Sequence, residues 1–173
     1  DTSVHARVMY AEMLEQAARA EALGYAMLGI PEHHFINYLT HPSPLLTAVK
    51  VTSVTSHIPL ITSVLVLPFL DMRRIAGEIA QADCLTDGRI HLGLGRGAFR
   101  YEFDRFNVAI EDSRAMFDDA LALLKTLMTE NEAAWDSPDY KFDALPIMPR
   151  WIQQPYPPTT TAPSSPVATY HSA

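Results

Sequence analysis

Leu60-Ile61-Thr62-Ser63-Val64-Leu65-Val66-Leu67 is the stretch that decides the fold. Six of its eight residues are Leu, Ile or Val and they do not alternate with polar ones, so both faces of the segment must be covered. That is the pattern of a strand in a parallel sheet with helices on either side. Thr62 and Ser63 carry hydroxyls into this apolar setting and need partners there. The residues alone leave open whether Ser63 faces a helix or a ligand.

Working outward, Ala26 to Ile30 is a shorter apolar run upstream, and Arg89 to Leu94 follows downstream of an Asp87-Gly88 turn. Helical patterns lie between and around these runs. The first spans about His5 to Leu23, with Met9, Met13, Ala17 and Ala20 on one stripe, and Gly24 stops it. Glu12, Glu15, Arg19 and Glu21 form its solvated face. Ser43-Pro44 supplies an N-cap and a first-turn proline for a helix from Leu45 to about Thr55. Asp71 caps a helix carrying Ile75, Ile79 and Ala82, and a last helix runs from Ser113 to Thr129 with Met116, Ala120, Leu123 and Leu127 inward. The three strands start about 30 residues apart, the βαβ repeat length, which implies right-handed crossovers.

Beyond Asn131 the pattern weakens. Tyr140-Lys141-Phe142 reads as a short strand, and Pro146, Pro149, Pro155, Pro157 and Pro158 preclude long regular elements. Nine of the last fifteen residues, Thr159 to Ala173, are Thr, Ser or Pro and none is charged, so 159–173 is expected to be a disordered tail behind a single domain of residues 1–158.

Composition narrows the function. Thirteen Lys and Arg against 20 Asp and Glu give a net charge of −7 over 173 residues, which excludes nucleic acid and anionic membrane as main partners. No apolar run approaches the ~20 residues of a membrane span. The one cysteine, Cys84, excludes an internal disulfide framework and any multi-cysteine zinc site. A cytoplasmic protein is the expectation, although the chain opens on Asp1 rather than Met.

Chemistry concentrates at the ends of the strands. Glu32-His33-His34-Phe35 directly follows the first one, where α/β proteins place reacting groups, and imidazole titrates nearest neutrality. Taken alone, the two histidines are more readily satisfied polar residues of a loop. Adjacent histidines on an extended segment point apart, and His33, His34 and His41 form no helical ligand pair, so no metal is expected. Gly93-Leu94-Gly95-Arg96-Gly97 ends the third strand. Its glycines let a ligand approach the backbone, and Arg96 can fork onto a phosphate or carboxylate. The spacing matches neither the dinucleotide fingerprint nor a phosphate loop. Cys84 has no local histidine and reads as packing.

Taken in order, Leu23-Gly24-Tyr25, Glu32-His33-His34-Phe35, Pro42-Ser43-Pro44, Thr62 to Pro68, Asp87-Gly88-Arg89, Gly93 to Gly97, Tyr101-Glu102-Phe103 with Phe106, and Ser113-Arg114 resemble the bacterial luciferase-like, flavin-dependent monooxygenase and oxidoreductase family. The likeness runs from about residue 5 to residue 158. It implies an α/β fold: part of a TIM-type (β/α)8 barrel, parallel strands alternating with helices, incomplete at both ends. It also implies an enzyme that uses reduced FMN and O2 to oxidise a small organic substrate. Some relatives use a deazaflavin, and a flavin reductase is a possible partner.

Carried over by motif position, His33 is expected to give acid–base support, with Glu32 orienting or hydrogen-bonding within the site and His34 as its neighbour. Ser63-Val64 matches a non-prolyl cis peptide under the flavin ring, and Arg96, with Gly95, Gly97 and Ala98, lies by the flavin phosphate. Gly95 stands where luciferase itself has a reactive cysteine, which argues against light emission. Three or four strands fall short of the eight of a closed barrel, and the family's next strand is expected where the Thr/Ser/Pro tail begins. A gene interrupted after about Pro158 is one expectation. The alternative function is a non-catalytic flavin-binding fragment that needs a partner or the missing half, with unpaired sheet edges favouring a homodimer.

Overall fold

The computed structural model describes residues 2–37 and 40–162. Helix α1 (Thr2–Ala22) leads to β1 (Leu28–Ile30), α2 (Pro44–Val51), then β2 (Leu60–Thr62) and β3 (Leu65–Val66). A single 3-10 turn at Leu67–Phe69 precedes α3 (Met72–Leu85) and β4 (Ile90–Gly95). Two helices, α4 (Arg100–Phe106) and α5 (Ser113–Thr129), are followed by β5 (Ala133–Asp136), β6 (Lys141–Leu145) and β7 (Thr159–Thr161).

Strands β1 to β4 and β7 form one parallel sheet, as the apolar runs require. Leu28 pairs with Leu60 and Ile30 with Thr62, while Leu60 pairs with Ile90. Leu94 is paired on both sides, to Leu65 of β3 and to Thr161 of β7. Leu60, Ile90, Leu92 and Leu94 are fully buried, against Met72, Ala76 and Ile79 of α3 and Ala120, Leu123 and Leu124 of α5. The sheet is an open part of a barrel: among the described residues β1 is paired along one edge only.

The stretch Leu60–Leu67 is not one continuous strand. Between Leu60 and Leu65 it advances five residues while β4 advances four, from Ile90 to Leu94. The break falls at Ser63-Val64, whose peptide bond is cis. Thr62 fills the interrupted ladder with its side chain: its hydroxyl accepts the Gly93 N–H at 2.9 Å and donates to the Gly93 carbonyl at 2.8 Å. The hydroxyl in the apolar strand therefore has a backbone partner rather than a ligand. A Cβ at Gly93 would lie 2.1 Å from the Thr62 carbonyl oxygen, so glycine is required there.

Other boundaries move for local reasons. Helix α2 stops at Val51, short of Thr55, because the hydroxyls of Thr52, Ser53 and Thr55 bond back to the carbonyls of Val49, Lys50 and Val51. The strand near Tyr140 is half of an antiparallel hairpin, β5 with β6. It docks through the Trp135 indole on Asp119 at 3.0 Å and the Tyr140 hydroxyl on the Leu70 carbonyl at 3.2 Å.

The expected disordered tail is corrected at its start. Thr159–Thr161 form β7 in parallel register with Leu92–Leu94, tied by Leu92 N–H to the Pro158 carbonyl at 2.7 Å and Ala162 N–H to the Leu94 carbonyl at 2.9 Å. Three threonines show no hydrophobic period, but β-branched residues fit a sheet whose open edge is waiting. The rest of that tail, residues 163–173, lies outside the described residues. No helix among the described residues is long and apolar enough to cross a membrane.

Candidate active site

Pro31 ends β1, and the chain turns over the carboxyl ends of the strands carrying Glu32, His33 and His34. Glu32 is 4% exposed. Its Oε2 accepts the Val66 N–H at 3.1 Å, and its Oε1 lies 2.9 Å from His34 Nε2. Val66 stands in register with Gly95, the residue before Arg96. One carboxylate thus joins the histidine loop to the glycine-rich end of β4 through a single backbone amide.

A second buried carboxylate, Glu102 of α4, stands 68 residues beyond His34 in the chain. It is 2% exposed and its Oε1 accepts the His34 backbone N–H at 2.8 Å. The same oxygen lies 3.4 Å from His33 Nδ1 and takes the Tyr101 hydroxyl at 3.4 Å. The His33 approach is within ion-pair range but off the line of a hydrogen bond, and Nδ1 is buried without one.

Aromatic rings wall the two imidazoles. Phe99 meets the His33 ring edge-on at 5.3 Å, and Phe106 meets that of His34 at 4.9 Å. Phe69 stacks on Phe106 at 4.5 Å. Such pairs fix ring planes as well as burying area. A groove of ≈ 570 Å³ runs between α2 and α3, from Glu32, Ser43 and Phe69 at one end to Gln81 and Leu85 at the other, and the histidines and Arg96 do not line it.

Burial sets the electrostatics. It pushes the Glu32 carboxyl above its ordinary range, opposed by the hydrogen bonds from His34 and Val66 and reinforced a little by the charge of Glu102. His41, whose carbonyl takes the His33 N–H at 3.2 Å, is held below the usual imidazole range, by burial first and then by His33. Carboxylates and imidazoles in such contact can hold a proton and pass it to a neighbour. Among the described residues no group of three or more His, Cys, Asp or Glu is arranged to hold a metal ion.

The other residues singled out in the sequence fall along the same rim. Ser63 N–H donates to the Ile30 carbonyl at 2.7 Å, so the cis Ser63-Val64 bond sits beside the end of β1. Val64 lies over Gly95, where a Cβ would come within 2.4 Å of Val64 Cγ2. Gly97 has φ +87° and leaves no room for a side chain beside Val66 and Phe103. Arg96 donates from Nη1 to Ser113 Oγ at 3.3 Å, while its buried Nε has no partner. Ala98 is exposed on the loop before α4.

Glu102 and the rings of Phe69 and Phe99 are the site members that the sequence reading did not assign. A signal was present: Glu102 sits between Tyr101 and Phe103, with Phe106 one turn on. A carboxylate on the apolar stripe of a short helix needs a buried partner.

The comparisons with known proteins agree with this fold. The luciferase-like monooxygenase family matches the chain over residues 1–171. The protein y4vJ of Sinorhizobium fredii is 36% identical over 152 residues, covering 88% of this chain and 43% of the relative. The oxygenase component of the flavin-dependent trigonelline monooxygenase of Acinetobacter baylyi is 28% identical over 160 residues, 91% of this chain and 44% of that protein. The crystal structure of the monooxygenase RslO1 from Streptomyces bottropensis superposes with a TM-score of 0.85 at 27% identity, over 90% of this chain and 47% of that one. The chain thus spans about half the length of the curated relatives it matches. The match over residues 1–171 shows that this chain belongs to the luciferase-like monooxygenase family.

Proposed function

We propose that this chain carries the flavin-side half of an FMN-dependent monooxygenase site that oxidises a small organic substrate with O2. The observation that carries the reading is the junction at Val66: Glu32 of the histidine loop takes its N–H, and in register with it stands Gly95, next to Arg96. Acid–base groups and an anion-binding arginine are thereby held on one rim.

The residues present fit a phosphorylated flavin. Arg96 keeps a buried Nε without a partner, a donor suited to phosphate, and the backbone at Gly97-Ala98 follows it. The Val64 side chain, packed over Gly95, offers an apolar ledge at the strand ends. A bound reduced flavin supplies the electrons and the activation of O2 that no side chain here can supply. His33 holds or moves a proton at the exposed part of its ring, Glu32 anchors the loop and His34, and the surrounding Phe side chains exclude water. The flavin-dependent relative supports a flavin as the cofactor. A flavin reductase is the partner that such an oxygenase calls for.

The open edge of the sheet favours a second reading, in which the chain binds flavin but turns over only when the rest of a barrel covers the site. A fluorescence titration with FMN, followed by reductant-dependent O2 consumption, separates the two. Binding with O2 uptake above free flavin supports the oxygenase, and binding without it supports the fragment. Absence of FMN binding sinks both.

A further inference from the structure

We propose that Glu102 is a positioning residue that sets the tautomer of His33, holding the proton on Nδ1 and presenting Nε2 as the acceptor on the open side of the ring. The role rests on the flavin reading only for what Nε2 acts upon. The tautomer itself is a property of this chain.

Nδ1 of His33 is buried and faces one acceptor, Glu102 Oε1 at 3.4 Å. Were Nδ1 the unprotonated nitrogen, its lone pair would confront a buried carboxylate oxygen at that distance, with no donor between them. Two buried acceptors face to face are unfavourable, whereas an Nδ1–H toward Oε1 is attractive even off the line of a hydrogen bond. The carboxylate cannot turn away easily, since the same oxygen takes the His34 N–H at 2.8 Å and its side chain is 2% exposed against 20% for His33. The ring is held from other directions by the edge contact with Phe99 and by the His33 N–H bond to the His41 carbonyl. A carboxylate behind an imidazole, fixing which nitrogen carries the proton, is a recurring way to define a general base.

The other charged and titratable groups leave this assignment to Glu102. Glu32 is committed to His34 and Val66. His41 puts its Nδ1 on the Thr47 hydroxyl at 3.5 Å, and Tyr101 contributes its hydroxyl to the same Glu102 oxygen.

The test is nitrogen-detected NMR of the 173-residue chain labelled in histidine, with His33 assigned by the signals lost in His33→Gln. In the wild type at neutral pH, His33 is expected as the Nδ1–H tautomer. Glu102→Leu, which keeps the volume but removes the acceptor, is expected to lower the Nδ1–H to Nε2–H ratio about tenfold. Glu102→Asp is expected to restore it. A wild-type ring protonated on Nε2, or a ratio that folded Glu102→Leu leaves unchanged, overturns the proposal. If Glu102→Leu fails to fold, the wild-type tautomer together with Glu102→Asp decides. FMN titration of the same samples is read separately: a chain that fixes the tautomer but binds no FMN refutes the flavin reading and leaves Glu102 in its role.

Discussion

Glu32 Oε2 accepts the backbone N–H of Val66 at 3.1 Å, and this one bond ties the histidine loop after β1 to the strand that flanks Gly95. The bond also buries a carboxylate, which has a consequence for pH. Glu32 is raised above its ordinary 4.5, chiefly by burial. Its protonated form is therefore the one the fold prefers. The stability it contributes is complete below pH 4.5 and is lost as pH rises through the higher folded value. Urea unfolding across pH 4 to 8 should show Glu32→Gln gaining on the wild type as pH increases. A difference between the two that stays flat with pH would contradict the burial account.

Asp83 anchors the end of the described chain. It is fully buried on α3 and accepts the N–H groups of Ile152 and Gln153 at 2.7 and 3.0 Å, and the Gln153 side-chain amide at 2.7 Å. Asp83→Ala leaves those donors without a partner, at a cost of about 2 to 4 kcal/mol. Because the segment they hold leads to β7, hydrogen exchange should quicken at Ala162 and at Leu92, whose amide bonds to Pro158. Unchanged exchange there in a folded variant would show that β7 stays docked without Asp83.

Gly93 and Gly95 are two residues apart, yet adding a methyl group should cost very different amounts. At Gly93 the new Cβ meets a backbone oxygen at 2.1 Å, and at Gly95 it meets a side-chain methyl at 2.4 Å. Backbone cannot yield without breaking the sheet, so Gly93→Ala should destabilise by about 3 kcal/mol and Gly95→Ala by about 1 kcal/mol, the latter by turning Val64 aside. Denaturation midpoints of the two variants check the order. Flavin affinity should fall in Gly95→Ala despite its smaller effect on stability.

Arg96 should discriminate phosphorylated from unphosphorylated flavin. Its Nε is an unused buried donor, and a charge-assisted bond to phosphate is worth about 1.5 to 3 kcal/mol, or about 10- to 100-fold in affinity. Arg96→Ala should weaken FMN by that factor and leave riboflavin binding nearly unchanged, as measured by quenching of flavin fluorescence. Equal loss for both ligands would place Arg96 away from the phosphate.

Much of the sheet was legible because its strands are buried on both faces. Ala26–Ile30, Leu60–Leu67 and Arg89–Leu94 each contain a strand that the apolar run alone predicts. The strand at Thr159–Thr161 was not, since three threonines after Pro157-Pro158 have no pattern of their own and pair only because the far edge of β4 is open. Helix α4 was missed for a similar reason. Its seven residues are too few to show a period, and its Asn107 terminus lies in the left-handed region at φ 54°. Within the site, Glu32, His33 and His34 announced themselves by adjacency and by following a strand. Glu102 shares the site with them across 68 residues of chain, and no local pattern reports such a meeting.

The alternation of buried strands and amphipathic helices, the order of the motifs and, through that order, the family can all be read along the chain. These are properties of neighbouring residues and of spacing, which a linear chain records in full. It is in the folded molecule that the Thr62 hydroxyl takes over the bonds of Gly93 where the apolar strand breaks. Only there, too, do two buried carboxylates, one from the loop after β1 and one from α4, close on the paired histidines. Both outcomes depend on which distant backbone or side-chain group is in reach once the core has packed. A polar atom withdrawn from water must find such a partner, and packing selects which one.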